Sequence, residues 1–472
     1  MDVSANHIIL PLPRPQYVAV PEALTTALAW RISSVPLPPD DRGRATASLF
    51  RKGKRESTKT LYYIESDPSN DTQALERFGQ ALDDQGVVSE EHQMLLARAL
   101  MSSLAGVRAE KGSSQAAVPI TQSLALLQNM RGLQGAKNPP DVGLILERLF
   151  ALGLTGPGQI ATVAGRWSEA VGHRVKMDPL SSAMDRAVAT GILLGEPMVE
   201  AHSDGVLPGW WCAALPNTPF SWFHDNWMRL TDAAWVSALP ARIWVDWAST
   251  VLRLALGMGY LWEAAWYETL ARGILRGDLT SFDQTREQVP PVIQWKSTQV
   301  HMSVRDVASP TGWRVRRSVQ VRSLLEQWIA SHDAKESSFG DTVRRMGQDD
   351  VLTADLEEAL GSRQRANDNM WEAVKYALKT RDTSGPYADH YGLLRSRGRY
   401  LWVEPGTEWT AVIASLCCDR PDSTTDLASV LRSLGQLGLH PELTDVVALL
   451  EDAGLARGSA DADQGVVVQS AF

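Results

Sequence analysis

Ala241 to Trp266 reads ARIWVDWASTVLRLALGMGYLWEAAW and carries four tryptophans, spaced 3, 15 and 4 apart. No other stretch limits the fold so strongly. Wound as a helix at about 100° per residue, it puts Trp244, Val251, Ala255 and Trp262 in one narrow arc, with Trp247 and Trp266 at its margins. Asp246, Thr250 and Arg253 gather on the opposite side. Charges in mid-segment argue against a membrane span, because each would need a partner inside the bilayer. Large aromatics dominate protein cores, so the stretch is expected to be the central pillar of a helical body, with its polar stripe turned away. The competing reading, a stacking or cation-binding surface, would place polar groups among the aromatics.

The surrounding pattern predicts a mainly α, multi-domain chain. Its 472 residues exceed what one core usually holds. Residues 1–70 read as an N-terminal β-containing region, with a hairpin near 46–65. Residues 71–275 read as a helical body that holds nine of the seventeen tryptophans between Trp210 and Trp266. Residues 276–350 read as a small β-hairpin insert (VIQWKSTQVHMSV and WRVRRSVQV around the turn SPTG), then a helix and a linker over 331–350. Residues 351–398 read as a helical connector, and 399–472 as a separate C-terminal domain.

Complete catalytic motifs are missing from the sequence. It has no GxxxxGK[ST], HExxH or GxSxG. Cys212, Cys417 and Cys418 have neither zinc-ligand spacing nor an even count, so reduced thiols in a cytoplasmic protein are expected. No cofactor and no metal are implied. GLTGPGQI at 153–160 is a glycine-rich turn that could open a helix and hold an anion on backbone N–H groups. In SWFHDNW, Trp222, His224, Asp225 and Trp227 could line a pocket; the plainer reading is a helix start with Asp225 or Asn226 near the cap. His390, beside Asp389 and Tyr391, could serve as a general base or as a structural hydrogen-bonding residue.

The net charge is −9, which argues against a protein that coats nucleic acid or anionic membrane. Three basic stretches stand out against it. Arg51, Lys52, Lys54 and Arg55 sit at the expected hairpin tip. Arg314, Arg316 and Arg317 sit on an expected strand. Arg395, Arg397 and Arg399 precede the last domain. Each set could contact phosphates or simply face water.

From Arg399 on, a strand (YLWVEPG) precedes three helices, TEWTAVIASLCC, STTDLASVLRSLGQLGL and HPELTDVVALLEDAGL. Two strands around a polar turn follow, in ARGSADADQGVVVQSAF. This order, over 74 residues, resembles a winged helix–turn–helix domain. The resemblance implies a third helix that reads a DNA groove. Yet that helix carries Glu442, Asp445, Glu451 and Asp452 with no lysine or arginine, and from Asp419 onward nine acidic residues face three basic ones. Phosphate contacts need cations, so docking of a partner protein is the expectation. The overall texture is also similar to that of large accessory proteins of bacterial anti-phage gene clusters.

Three functional classes therefore compete. The first is a non-catalytic scaffold or adaptor subunit of a bacterial complex, with other protein subunits as partners. The second is a direct DNA-binding protein that uses the basic stretches. The third is an enzyme whose site is assembled from separated residues such as His224, Asp225 and His390.

Overall fold

The computed structural model describes residues 3–15, 21–32, 76, 79–80, 82–84, 86–87, 91–108, 115–127, 142–154, 162–189, 206–363, 369–380, 389–458 and 465–472. Within these the chain is mainly helical. A 3-10 turn (Ala5–Ile8) precedes α1 (Glu22–Ile32), α2 (Gln93–Ser103), the strand pair β1 (Ala105–Arg108) and β2 (Gln115–Ala117), and α3 (Gln122–Leu127). The body continues with α4 (Val142–Ala151), α5 (Val163–Met177), α6 (Pro179–Ala189), α7 (Pro219–Leu230), α8 (Ala233–Ala238) and α9 (Ala241–Arg276). Next come α10 (Phe282–Glu287), α11 (Met302–Arg305), α12 (Ala308–Ser331), α13 (Phe339–Gly347), α14 (Asp350–Gly361) and α15 (Asn369–Leu378). The hairpin β3 (Leu394–Arg397) and β4 (Tyr400–Val403) leads to α16 (Thr407–Ser415), β5 (Thr424–Asp426), α17 (Leu427–Gln436), α18 (Leu443–Asp452), β6 (Ala456–Gly458) and β7 (Val466–Gln469).

The pillar is α9, 36 residues long, or about 54 Å at 1.5 Å per residue. Trp244, Trp247 and Trp266 are buried in it, and Trp244 stacks on Trp167 of α5 with ring centroids 4.9 Å apart. Helices α7, α12, α15 and α1 pack around it. Its glycines permit close approach: a Cβ on Gly257 would lie 2.5 Å from Leu378 at the end of α15. The N-terminal segment runs along the same helix. Trp266 Nε1 donates to the Ile8 carbonyl at 3.1 Å, and the Leu10 N–H donates to the Tyr267 hydroxyl at 3.1 Å. One contiguous buried cluster extends from Val3 to Val468. No described helix is long and apolar enough to cross a membrane.

The polar stripe of α9 is largely covered by other parts of the chain: Thr250 and Arg253 are buried and Asp246 is half-buried. Arg253 is 4% exposed and Asp389 2%. The two form a bidentate pair at 2.9 and 2.9 Å, and Arg253 also donates to the Ala377 and Lys379 carbonyls. Burial pushes the Asp246 carboxyl up to about 6, and the Arg242 guanidinium only partly offsets it. The chain after α15 thus seals the side of the pillar opposite the tryptophan stripe.

Other expectations are corrected. The expected β-hairpin insert does not form: WRVRRSVQV belongs to α12, and VIQWKSTQV is irregular apart from an isolated bridge between Ile293 and Leu439. Its buried Thr311, Val315, Ser318, Val321, Leu325 and Trp328 recur every three or four residues, a helical period that outweighs the short β-branched alternation. Pro310 lies in the first turn of that helix, where its missing N–H costs nothing, rather than in a hairpin turn. The expected linker holds α13, which buries Phe339, Thr342, Val343 and Met346. In the N-terminal region, residues 22–32 form the helix α1, which packs on α5 and α9. The hairpin expected over 46–65 lies outside the described residues.

Candidate functional site

The C-terminal unit is built from α16, β5, α17, α18, β6 and β7 in that order. Its three strands pair antiparallel in the order β5-β7-β6, with Thr425 opposite Val468 and Arg457 opposite Val467. The segment STTD, expected as the start of a helix, is instead the edge strand β5. Asp426 ends that strand and caps α17, its carboxylate accepting from the Ser429 N–H at 2.7 Å; these bonds hold its carboxyl below the usual range. Gly438 closes α17 with φ 77°, while the Leu439 N–H donates to the Leu434 carbonyl at 2.9 Å. A left-handed residue at this place favours glycine, and a Cβ would also meet Val292 at 2.8 Å.

Trp409, Ile413, Val430, Leu434, Val446 and Leu450 form the unit's core, with Trp295 as a lid from the preceding segment. The unit is anchored to the tryptophan-rich body. Trp222 Nε1 of α7 donates to Ser433 Oγ at 2.8 Å, and Arg229 donates to the Leu416 carbonyl. These anchors engage α16 and α17.

The outward side of α18 presents Leu443, Thr444, Val447, Ala448 and Glu451, related by steps of three and four residues, with Glu442 and Asp452 at its ends. Leu443 is 54% exposed. The helix carries no cation. Asp461 and Asp463 of the intervening turn lie outside the described residues.

The basic stretches fare differently. Arg51, Lys52, Lys54 and Arg55 lie outside the described residues. Arg314 and Arg317 are engaged internally on α12: Glu268 accepts from Arg314 Nε at 3.0 Å and from Arg317 Nη1 at 3.3 Å. Arg314 also holds the Val292 carbonyl at 2.8 Å, and Arg317 the Ser362 carbonyl at 2.9 Å. Arg316 is half-buried. The third stretch forms a hairpin of its own. Arg395 and Arg397 lie on β3 opposite Trp402 and Tyr400, and Gly398 with φ 60° makes the two-residue turn. Arg397 and Arg399 are exposed at this tip, and the Arg399 guanidinium lies over the Tyr400 ring, 5.0 Å from its centroid.

The side chains of SWFHDNW do not gather into a pocket, and the stretch is not the start of a helix at Asp225 or Asn226. SWFHDNW is the middle of α7, which starts at Thr218-Pro219, where Ser221 Oγ accepts from the Thr218 N–H at 3.1 Å. Trp222 and Trp227 are buried in the core, whereas Asp225 is exposed and pairs with His224 at 3.0 Å. His224 packs against Phe150. A helix turns residues 222 and 227 inward and 225 outward, so the four cannot share one cavity. His390 is half-buried, and the neighbouring Asp389 is committed to Arg253.

The helix that follows the glycine-rich stretch is capped by the chain's own side chains. Residues 155–161 lie outside the described set, but the start of α5 is already satisfied from within. The buried Glu147 carboxylate accepts from the Val163 and Ala164 N–H groups at 2.8 and 2.9 Å, and Thr162 Oγ1 accepts from Gly165 at 2.9 Å.

Neither a family model nor any curated protein matches the chain.

Proposed function

We propose that this chain is a non-catalytic adaptor subunit of a bacterial multi-protein assembly. Its C-terminal unit is read as a winged-helix module whose third helix, α18, docks a partner protein rather than DNA. The observation that carries this reading is the outward face of α18: apolar at Leu443, Val447 and Ala448, acidic at Glu442, Glu451 and Asp452, and without a cation. A duplex groove offers that face no favourable charge, since phosphate contacts supply most DNA affinity. A protein surface with an apolar centre and a basic rim complements it, because interfaces bury apolar anchors inside a polar ring. The long internal pillar and the anchored module suit a scaffold that presents this face rigidly.

The exposed tip at Arg397 and Arg399 supports one subsidiary role, contact with nucleic acid held by the assembly. Both guanidiniums project from a short two-stranded ribbon, and neither is tied to a carboxylate among the described residues. The likeness in texture to accessory proteins of anti-phage gene clusters makes such an assembly the first place to look.

The test is purification of the tagged protein from its native host, with and without nuclease, for the wild type and for Leu443→Asp. A stoichiometric protein partner that survives nuclease and is lost from Leu443→Asp supports the adaptor. Recovery of nucleic acid without a stable protein partner, equally by both proteins, overturns it.

A further inference from the structure

The last turns of α9 and the facing turn of α12 enclose a recess of about 300 Å³, lined by Glu268, Thr269, Arg272, Arg276, Gln288, Pro290 and Arg314. Three guanidiniums therefore share a small concave space with one carboxylate, in a chain whose net charge is −9. Glu268 accepts from Arg272 Nη2 at 2.8 Å and from Arg314 Nε at 3.0 Å, with Arg317 behind it at 3.3 Å. Arg276 reaches Asp278 at 2.7 Å outside the recess. Counting Arg272, Arg276, Arg314 and Arg317 against Glu268 and Asp278, the cluster keeps two positive charges. Arg272 and Arg276 are 50% and 53% exposed. Each has guanidinium nitrogens beyond those engaged among the described residues.

We infer that this recess binds a small phosphate-bearing molecule through Arg272 and Arg276, with the internally bonded Arg314 adding positive charge at its wall. A phosphoryl dianion matches the excess charge, and its oxygens suit guanidinium forks better than they suit point-charge lysines. Gln288 adds a neutral amide at the rim. The volume is at the lower end of small-molecule sites, which favours a compact ligand over a polymer. The phosphoryl group can come from inorganic pyrophosphate or from a nucleotide. A second cavity of about 280 Å³ lies across Pro290, lined in part by Asn217, Trp262, Arg286 and His440, and would receive a nucleoside if one is attached.

Arg314 links the recess to the rest of the molecule. It holds the Pro291 and Val292 carbonyls, and the Val292 N–H in turn donates to Gly438 at the turn between α17 and α18. Ligand binding is therefore expected to slow amide exchange along 288–293, read at Gln288, Val289, Val292 and Ile293 because Pro290 and Pro291 carry no N–H.

The experiment is calorimetric titration of the full chain with pyrophosphate, ADP and adenosine in chloride buffer. Saturable binding of pyrophosphate and ADP without adenosine is the expected result, and tighter ADP than pyrophosphate would assign the second cavity to the nucleoside. Arg272→Ala with Arg276→Ala should weaken binding by tenfold or more, on the order expected for two charge-assisted contacts. Arg344→Ala, an exposed arginine on α13, should leave it unchanged. Both replaced side chains are half in solvent, so an unchanged melting temperature checks the fold. Absence of saturable binding by the wild type at millimolar ligand overturns the inference. Equal binding by the double variant, or no exchange slowing over 288–293, does so as well.

Discussion

Removing Asp389 tests how α9 is sealed. The Asp389–Arg253 pair is almost fully enclosed, and Arg253 makes two further bonds to the Ala377 and Lys379 carbonyls. Asp389→Ala leaves a guanidinium in the interior with half its partners gone. Breaking a buried pair from one side costs about 3–5 kcal/mol, so a loss near 4 kcal/mol is expected. Arg253→Met strands the carboxylate and should cost a similar amount. The double variant Arg253→Met with Asp389→Leu removes both charges and takes a partner from three backbone groups, the Ala377 and Lys379 carbonyls and the Tyr391 N–H, at about 1 kcal/mol each. It should therefore be more stable than either single variant. Urea unfolding, followed by circular dichroism and tryptophan fluorescence, gives the three differences from midpoints at constant slope. Limited trypsin digestion of Asp389→Ala should open first next to Lys379. A loss below about 1 kcal/mol for Asp389→Ala, the size of a solvated surface pair, would refute the reasoning: water would then reach the pair, and the chain after α15 would not cover the pillar.

Other expectations follow from single groups. Glu263, buried on α9 beside Arg322, has its carboxyl pushed up to about 7 from 4.5 by burial, which the Arg322 guanidinium only partly offsets. The folded state then holds this proton to higher pH than the unfolded chain, so the contribution of Glu263 to stability is fullest below pH 4.5 and falls as pH rises to about 7, by about 3 kcal/mol in all. Unfolding measured across that window should show a flatter profile for Glu263→Gln; an unchanged slope would contradict the assignment. Gly153→Ala would place a Cβ 2.2 Å from the Phe220 carbonyl oxygen, a backbone clash expected to cost 3 kcal/mol or more, about the upper range for overpacking; Gly209→Ala, with open space around it, should be close to neutral in the same melts. Glu147→Ala strips the start of α5 of two N–H acceptors and should lower stability by about 2–3 kcal/mol; an unaffected melting temperature would show that other groups cap this helix.

The legible parts of the fold are those whose signal is local. The tryptophan stripe of α9 announced a buried pillar because its period runs over many turns. What covers the other side was hidden, since Asp389 lies 136 residues from Arg253 and nothing near Arg253 in sequence reports it. RVRR shows the opposite failure. Its alternation looked like a strand over nine residues, while the helical period of Val315, Ser318, Val321 and Leu325 was visible in a wider window. Thr218-Pro219 with Ser221 three positions after the cap marked the true start of α7, earlier than Asp225. In the C-terminal unit the helices were readable, but β5 was not. Its pairing is with β7, more than forty residues away, and a three-residue strand has too little pattern of its own. The arginine recess has no local signature for the same reason: Arg272 and Arg276 share a helix face, but Arg314 joins them only when α12 packs on α9.

The most direct test of the adaptor reading places a photo-crosslinking amino acid at Thr444, on the outward face of α18, in cells of the native host. After irradiation, the shifted species is treated with nuclease and with protease. The account predicts one discrete protein adduct, insensitive to nuclease and abolished by Leu443→Asp. An adduct that nuclease collapses back to the free chain would place nucleic acid on this face and contradict the central claim.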